Sequence, residues 1–307
     1  MIKTARKLAA SAALVTTLFM APAVMAQTAA PVSVPQAQGQ GPAMWVIRDE
    51  DSTIYLYGSF HMLKPTTAWG QAHVDAAFAS ADEIWFELTD QDDAAQAAGL
   101  IQEFGLSPDR SLSSLLPAED LANLDAVAKT FGASAQAFDG MRPWFVSMQL
   151  AVIQLMIGGF DPNIGVEKVL MARAQELGKP IKGFESMREQ IQIMAGISEE
   201  GQVQMLRSTL EELTKTPEQM AKLAEAWATG DVEEIERQIV IEMKAMQPDA
   251  YDAMLTRRNA NWVSQIKTIL AGSGTVFVAV GAGHLAGEDS VQSLLAAEGI
   301  QSERVLN

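Results

Sequence analysis

The sequence contains no cysteine. This absence excludes disulfide bonds, thiolate metal ligands, a cysteine nucleophile and a lipid-modified cysteine. Basic residues are also scarce, because 22 lysines and arginines stand against 38 acidic residues and leave a formal net charge of −16. A nucleic-acid partner would require a basic surface that neutralises phosphates, so we predict that the protein binds no nucleic acid.

Common catalytic motifs are missing as well. The sequence has neither the Gly-x-Ser-x-Gly elbow of serine α/β-hydrolases nor the His-Glu-x-x-His motif of conventional zinc peptidases. The glycine-rich residues 272–274 precede a predicted strand, which is the wrong order for a phosphate-binding loop. Any enzymatic site must therefore be built from the few histidines and from carboxylates.

The N-terminus has the pattern of a secretory signal peptide. Lys3, Arg6 and Lys7 precede an apolar stretch over residues 8–20, and small residues lead to a predicted cleavage site after Ala26. We expect a periplasmic or secreted protein, whose formal charge moves from −16 to −19 when the three basic residues are removed. A retained membrane anchor is the alternative, but the stretch is short for a hydrocarbon core of about 30 Å. No comparable stretch follows, so we predict no membrane span after cleavage.

Residues 27–42 contain proline, glycine and glutamine, which predicts a flexible linker between the signal peptide (residues 1–26) and a domain over residues 43–307. Strand patterns occur at both ends of that domain, and a 3.6-residue apolar period dominates from about residue 91 to residue 272. The predicted strands cover residues 44–47, 53–57, 84–86, 179–184, 275–280 and 302–306. We therefore predict an α/β (α+β) fold, with a mixed sheet from two terminal α/β portions that enclose a helical insertion.

The 16 methionines are spread over helix faces, which predicts that they fill the core.

Two of the three histidines share one setting, an apolar strand that runs into Gly-x-x-His. Gly58 precedes His61 at this spacing, and Gly281 precedes His284. Glycine lets the chain turn sharply where the strand ends, so each imidazole should project from the rim of the sheet, where open α/β sheets bind ligands. The third, His73, lies outside this pattern, and we predict an ordinary surface or boundary residue.

Glu87 follows the predicted strand 84–86 and is the nearest carboxylate that can join the two histidines at the rim. A strand-end carboxylate by itself is typical of a solvated surface group, but the paired histidines favour a shared site. Imidazole and carboxylate together bind several divalent cations. We therefore predict a metal site formed by His61, Glu87 and His284, with manganese, cobalt or zinc as the ion and iron also compatible.

Arg258 lies on the predicted buried stripe of a helix over residues 251–271, three residues after Leu255 and four before Trp262. Asn259 lies beside it. An inward-facing guanidinium needs a carboxylate or a bound anion to offset its desolvation. The sequence leaves two alternatives, in which Arg258 either pairs with a structural acid or points into a site.

Seven separated motifs resemble those of the TraB/GumN family, whose eukaryotic relatives include the TIKI metalloproteases that cleave Wnt proteins. The motifs are Gly58-Ser59-Phe60-His61 with Leu63-Lys64-Pro65, Phe86-Glu87-Leu88, Arg142-Pro143-Trp144, Gly165-Val166-Glu167, Lys182-Gly183-Phe184-Glu185, Arg258-Asn259 with Trp262, and Val278-Ala279-Val280-Gly281-Ala282-Gly283-His284. The resemblance extends from Met44 to Val305.

The resemblance implies two α/β portions around a helical insertion, and one pocket that contains the paired Gly-x-x-His motifs, the glutamate and the arginine. In the TIKI relatives such a pocket resembles a metalloprotease centre supported by manganese or cobalt. Glu167 stands where we expect aspartate in many relatives, so we predict for it at most a supporting position behind the metal ligands.

These observations lead to the hypothesis of an exported, peptidase-like metal-dependent hydrolase that acts on a peptide or protein. The predicted catalytic residues are Glu185 as general base, Arg258 as the group that stabilises the oxyanion, and Asn259 as the group that orients water. The alternative is a non-catalytic periplasmic protein that binds a metal or another ligand, or that serves polysaccharide export or conjugation. The sequence leaves the oligomeric state open.

Overall fold

The computed structural model describes residues 34–91, 93–213 and 217–306. The predicted signal peptide and residues 27–33 of the predicted linker lie outside the described residues. The rest of that linker, residues 34–42, contacts the fold, because the backbone oxygen of Pro35 accepts hydrogen bonds from the amides of Trp69 and Gly70, each at 2.9 Å. Val34 also packs against the core. Ordered contacts therefore begin before the predicted domain start.

Six strands of the described residues form one mixed sheet. They are β1 (Met44–Arg48), β2 (Ser52–Ser59), β3 (Glu83–Phe86), β4 (Ile181–Gly183), β5 (Gly274–Gly281) and β6 (Ser302–Arg304). Their order across the sheet is β4-β3-β5-β2-β1-β6. The strands β4, β3, β5 and β2 are parallel to one another, whereas β1 pairs antiparallel with β2 and with β6. The predicted α/β class with a mixed sheet is confirmed.

The register of the parallel strands determines where their last residues lie. Ser59 of β2 pairs with Gly281 of β5, and Phe86 of β3 pairs with both Ala279 of β5 and Gly183 of β4. The segments that follow these four strands therefore leave the sheet at the same edge.

Helices cover the sheet and form the middle of the chain. They are α1 (Ala72–Ser80), α2 (Ala94–Phe104), α3 (Ala118–Thr130), α4 (Pro143–Ile157), α5 (Val166–Glu176), α6 (Met187–Ala195), α7 (Glu199–Leu213), α8 (Pro217–Thr229), α9 (Val232–Ile235), α10 (Glu242–Met246), α11 (Pro248–Tyr251), α12 (Arg257–Leu270) and α13 (Val291–Ala297). A π-helical turn, Glu236–Ile241, joins α9 to α10, and a second, Asp252–Thr256, joins α11 to α12. Within the described residues, no helix combines the length and the apolar character that a membrane span requires.

Successive side chains of a strand point to opposite faces of the sheet, and helices cover both faces. Phe277 and Ala279 of β5 pack in one cluster with Phe78 of α1. Val276 and Val278 belong to a second cluster, to which α12 contributes. A separate apolar cluster holds α3, α4 and α7 together in the helical middle. A helix of the insertion also reaches the edge at which the parallel strands end, because Arg258 of α12 contacts Glu87, which follows β3.

Candidate functional site

Four neighbouring parallel strands each supply one predicted site residue just beyond their carboxyl ends. His61 follows β2, Glu87 follows β3, Glu185 follows β4 and His284 follows β5. This edge is where open α/β sheets bind ligands, because the strand ends leave a crevice there. The parallel pairing of strands that are distant in sequence brings these four residues together.

The three predicted metal ligands converge on the backbone of Gly281. A methyl group placed on Gly281 would lie 3.1 Å from Glu87 Oε1, 3.6 Å from His284 Cδ2 and 3.7 Å from His61 Nε2. The absence of a side chain at Gly281 therefore keeps this space open. As the side chains stand, the described residues contain no ready-made metal cluster of three histidine or acidic groups.

His284 is fixed by a buried chain of hydrogen bonds. Asn259 Nδ2 donates to the backbone oxygen of Asp289 at 2.8 Å, so Asn259 Oδ1 faces His284 Nδ1 at 2.6 Å and accepts a hydrogen bond from its N–H. The ring also packs on Trp262, with ring centroids 4.3 Å apart. Burial, with a further contribution from the charge of Arg258, lowers the pKa of His284 to about 3. The imidazole is therefore neutral at pH 7, and its Nε2 lone pair faces Glu87 and Arg258.

His61 is held from the other side of the site. Its Nδ1 lies 2.9 Å from Glu167 Oε1, and the same carboxylate oxygen accepts a hydrogen bond from Ser59 Oγ. The negative charge of Glu167 raises the pKa of His61 to about 9. The side chain of His61 is 68% exposed, so solvent screens the pair. Glu167 thus supports the ring from behind and directs Nε2 towards the site.

The Gly165-Val166-Glu167 motif positions His61 by close packing of backbone. A Cβ atom on Gly165 would lie 2.1 Å from the backbone oxygen of His61, far inside van der Waals contact. Only glycine lets the start of α5 approach the residue that it supports. The motif therefore has a steric reason besides the carboxylate of Glu167.

We expect Gly165→Ala to destabilise the protein by about 1–3 kcal/mol, because the added methyl group must push the His61 backbone away. Gly99→Ala is the matched control, since Gly99 lies within α2 and a Cβ there has no atom within 4 Å. That change should stabilise the protein by about 0.5–1 kcal/mol through helix propensity. Urea unfolding measures both, and equal effects of the two substitutions would contradict the packing argument.

Glu87 is ionised and firmly placed. Its Oε1 accepts the backbone N–H of Gly281 at 2.7 Å, and its Oε2 lies 2.6 Å from Arg258 Nη2 and 3.3 Å from Gln190 Nε2. Burial by itself would raise the pKa of Glu87, but the charge of Arg258 and the Gly281 hydrogen bond outweigh it and hold the pKa well below its usual range. Oε1, which also lies 3.8 Å from His284 Nε2, faces the two imidazoles.

Arg258 both pairs with acids and points into the site, which combines the two alternatives left open by the sequence. Its Nε and Nη2 contact Glu185 at 3.0 and 2.8 Å, and its Nη2 also contacts Glu87. The guanidinium stacks on Trp262, 4.8 Å from the ring centroid. Burial would lower the pKa of Arg258, but Glu87 and Glu185 raise it, so the guanidinium stays charged.

Glu185 has a different place from the one expected of a general base. Both of its oxygens contact Arg258, and Oε1 also accepts the indole N–H of Trp262 at 2.9 Å. Its side chain is 4% exposed. A carboxylate committed to a cation and an indole in this way positions Arg258. In place of the general-base role, we therefore assign Glu185 a positioning role.

A cavity of about 740 Å³ opens in front of the site. His61, Glu87, Arg258 and Gln190 line its polar end, and helices of the insertion form its other walls. His284 and Glu185 are not among the described residues that line the cavity, because both lie behind Arg258. Sequence reasoning missed Gln190, whose position within α6 carries no pattern that distinguishes it from other surface glutamines.

Comparison with known proteins places the chain in one family. Residues 43–304 match the TraB/PrgY/gumN family. The uncharacterized protein YbaP of Escherichia coli K12 is 23% identical over 185 residues, which cover 60% of this chain and 68% of YbaP. An uncharacterized protein of Treponema pallidum is 23% identical over 274 residues, which cover 82% of this chain and 79% of that protein. No solved structure matches the chain significantly. The family match spans most of the chain, and the protein therefore belongs to the TraB/PrgY/gumN family.

Proposed function

We propose that the protein is an exported metal-dependent hydrolase that cleaves peptide bonds. The observation that carries the proposal is the orientation of the two imidazoles. Each presents Nδ1 to a supporting acceptor, Glu167 for His61 and Asn259 for His284. Both rings therefore direct Nε2 towards the side of Glu87 that faces Gly281. This arrangement is typical of metal-ligating histidines, whose other ring nitrogen is held by a second group.

The donor groups fit a divalent cation in their chemistry. Two imidazole nitrogens and one carboxylate suit manganese, cobalt, zinc or iron. Loss of the Nε2 proton from His61 would expose a lone pair and leave the Nδ1 contact with Glu167 intact. The Nε2 of His284 lies 3.2 Å from Arg258 Nη1, so the guanidinium and a cation would compete for that lone pair. Glu185 retains Arg258 through other nitrogen atoms, which allows Nη1 to give up this contact.

Each residue of the site then has a role in hydrolysis. A bound divalent cation supplies Lewis acidity and lowers the pKa of water. Arg258 lines the cavity and offers positive charge to the carbonyl oxygen as water adds to the carbonyl carbon. Glu185 and Trp262 hold the guanidinium in place. The amide C–N bond breaks, and the proton from water passes to the leaving amine.

The test begins with the purified mature chain. Elemental analysis and calorimetry should find one tightly bound divalent ion, and a fluorogenic peptide library should be cleaved. A chelator should stop cleavage, and the ion should restore it. A folded protein that binds no divalent cation would overturn the metallohydrolase proposal. A protein that binds the ion and cleaves no peptide would support the non-catalytic alternative, a periplasmic metal-binding protein.

The supporting role of Asn259 gives a second prediction. We expect Asn259→Ala to weaken metal binding by about 10–100-fold, because His284 loses the acceptor that orients its ring. Asn261→Ala is the matched control, since Asn261 is exposed on the same helix and should leave the affinity unchanged. Calorimetric titration measures both variants. An unchanged affinity in the Asn259 variant would show that the hydrogen bond to His284 Nδ1 does not serve a metal site.

A further inference from the structure

The cavity in front of the site has walls of an unusual composition. Six methionines line it, Met148, Met194, Met205, Met243, Met246 and Met254. Methionine is unbranched and polarisable, so a methionine surface adapts to apolar groups of different shape. The sequence pattern predicts these methionines to be core filler, but five of the six are only partly buried. They form a wall that a ligand can contact.

The helix α4 is mostly apolar, with Ser147, Gln149 and Gln154 as its polar residues, yet only half of it is covered. A helix of that kind is normally buried in a core. Its first half is buried in the helical middle, whereas residues 151–157 are partly buried or exposed. Leu155 and Met148 of this helix line the cavity. The described fold therefore leaves apolar surface beside the candidate catalytic groups, where a substrate would cover it.

Amide side chains stand among the apolar ones. Gln154, Gln190, Gln238 and Gln247 also line the cavity, together with the charged side chains of Glu212, Lys222, Arg237 and Glu242, of which Arg237 pairs with Glu242. Each can donate to a backbone carbonyl and accept from a backbone N–H. An extended peptide offers both groups along its length, whereas a fatty acyl chain would desolvate the amides without any hydrogen bond in return. The combination of thioethers and amides therefore favours a peptide.

Both π-helical turns contribute to these walls. Gln238 and Ile239 come from the turn Glu236–Ile241, and Met254 comes from the turn Asp252–Thr256, one helical turn before Arg258. π-Helical turns are rare and often occur at functional sites. The second turn links the cavity wall directly to the arginine of the site.

We propose that the methionine-lined cavity binds an extended peptide segment with apolar side chains and delivers its backbone to His61, Glu87 and Arg258. The inference rests on the proposed hydrolase function for its catalytic consequence. The binding itself needs no metal. The substrates would then be unfolded or flexible protein segments rich in apolar residues, because folded proteins keep such segments buried. The adaptable walls would accept many sequences.

The test measures peptide binding by calorimetry in the presence of a chelator, so that no turnover occurs. The probe is an end-blocked octapeptide with leucine and phenylalanine side chains, and the matched probe carries serine at those positions. The wild-type protein should bind the apolar probe at least about tenfold more tightly than the serine probe, as expected when several apolar side chains are buried. Equal affinity for the two probes would overturn the proposal.

Substitutions in the cavity locate the binding. Met148→Gln and Met246→Gln keep the unbranched length of the side chain and remove its apolar character, so each should weaken binding of the apolar probe by about tenfold. Met156→Gln is the control, because Met156 belongs to α4 but is 51% exposed and does not line the cavity. Circular dichroism checks that all three variants fold. Binding that survives both cavity substitutions would overturn the proposal, as would tighter, competitive binding of decanoate.

The outcome is distinct from that of the hydrolase test. A protein that binds the apolar peptide through the methionines but cleaves nothing when loaded with metal would refute the hydrolase and leave the peptide cavity standing. Cleavage of the apolar and serine probes at equal rates would support the hydrolase and refute the binding of apolar peptides in the cavity.

Discussion

Replacing His284 with alanine should abolish tight binding of a divalent cation and, with it, hydrolysis. The variant loses one of the three donors that converge on Gly281. Loss of a supporting partner weakens metal binding by about 10–100-fold, so loss of a ligand should weaken it further. His61→Ala should have the same effect on the metal. Because the His61 side chain is 68% exposed, its removal opens no buried cavity, and any loss of stability should come from the buried Glu167, which keeps Ser59 Oγ as a partner. His284 is buried against Trp262, and its removal should also destabilise the fold.

The third histidine provides the control. His73 lies in α1 and does not line the cavity, so His73→Ala should bind metal as the wild type does. Elemental analysis and calorimetry measure the metal content and metal affinity of the three variants under the same conditions. Retention of the ion by both His61→Ala and His284→Ala would place the metal elsewhere. Equal loss in His73→Ala would point to binding at scattered surface groups.

The location of the site could be predicted because local patterns define strand ends. A β-branched run that ends in glycine marks the point where a chain leaves a sheet, and this holds for Gly58 and Gly281 alike. These strands can be recognised in the sequence without knowing which strands they pair with. The parallel register then brought their ends to one edge, as the fold class requires.

The roles of individual carboxylates could not be predicted in the same way, because a partner distant in sequence decides what a carboxylate does. Glu185 follows a strand as Glu87 does, yet Arg258, 73 residues further along the chain, takes both of its oxygens. The methionine-lined cavity could not be predicted from the sequence either. An apolar stripe has the same period whether it faces a core or an open cavity, so Met148 and the buried Leu150 of α4 look alike in sequence.

The largest effect on stability should come from Arg258→Met. The substitution leaves Glu87 and Glu185, whose side chains are 9% and 4% exposed, without their shared cation. Removal of one partner from a buried ion pair costs about 3–5 kcal/mol, because the remaining charge stays desolvated. Arg257→Met is the control, since Arg257 is 68% exposed and pairs with Asp252 at the surface, where a salt bridge contributes at most about 1 kcal/mol. Urea unfolding at pH 7 should separate the two variants clearly.

A double substitution tests whether the unpaired carboxylates cause that loss. Arg258→Met combined with Glu185→Gln should be more stable than Arg258→Met, because one of the two buried charges is removed with little change of shape. The pH dependence gives the same test in another form. The depressed pKa of Glu87 contributes stability that is present above its ordinary value of 4.5 and is lost as the pH falls below it. The difference between wild type and Arg258→Met should therefore narrow in acid. If the difference stayed constant with pH and the double variant gained nothing, the loss would come from packing of the arginine on Trp262, and Arg258 would be a structural side chain instead of a charge held ready for a substrate carbonyl.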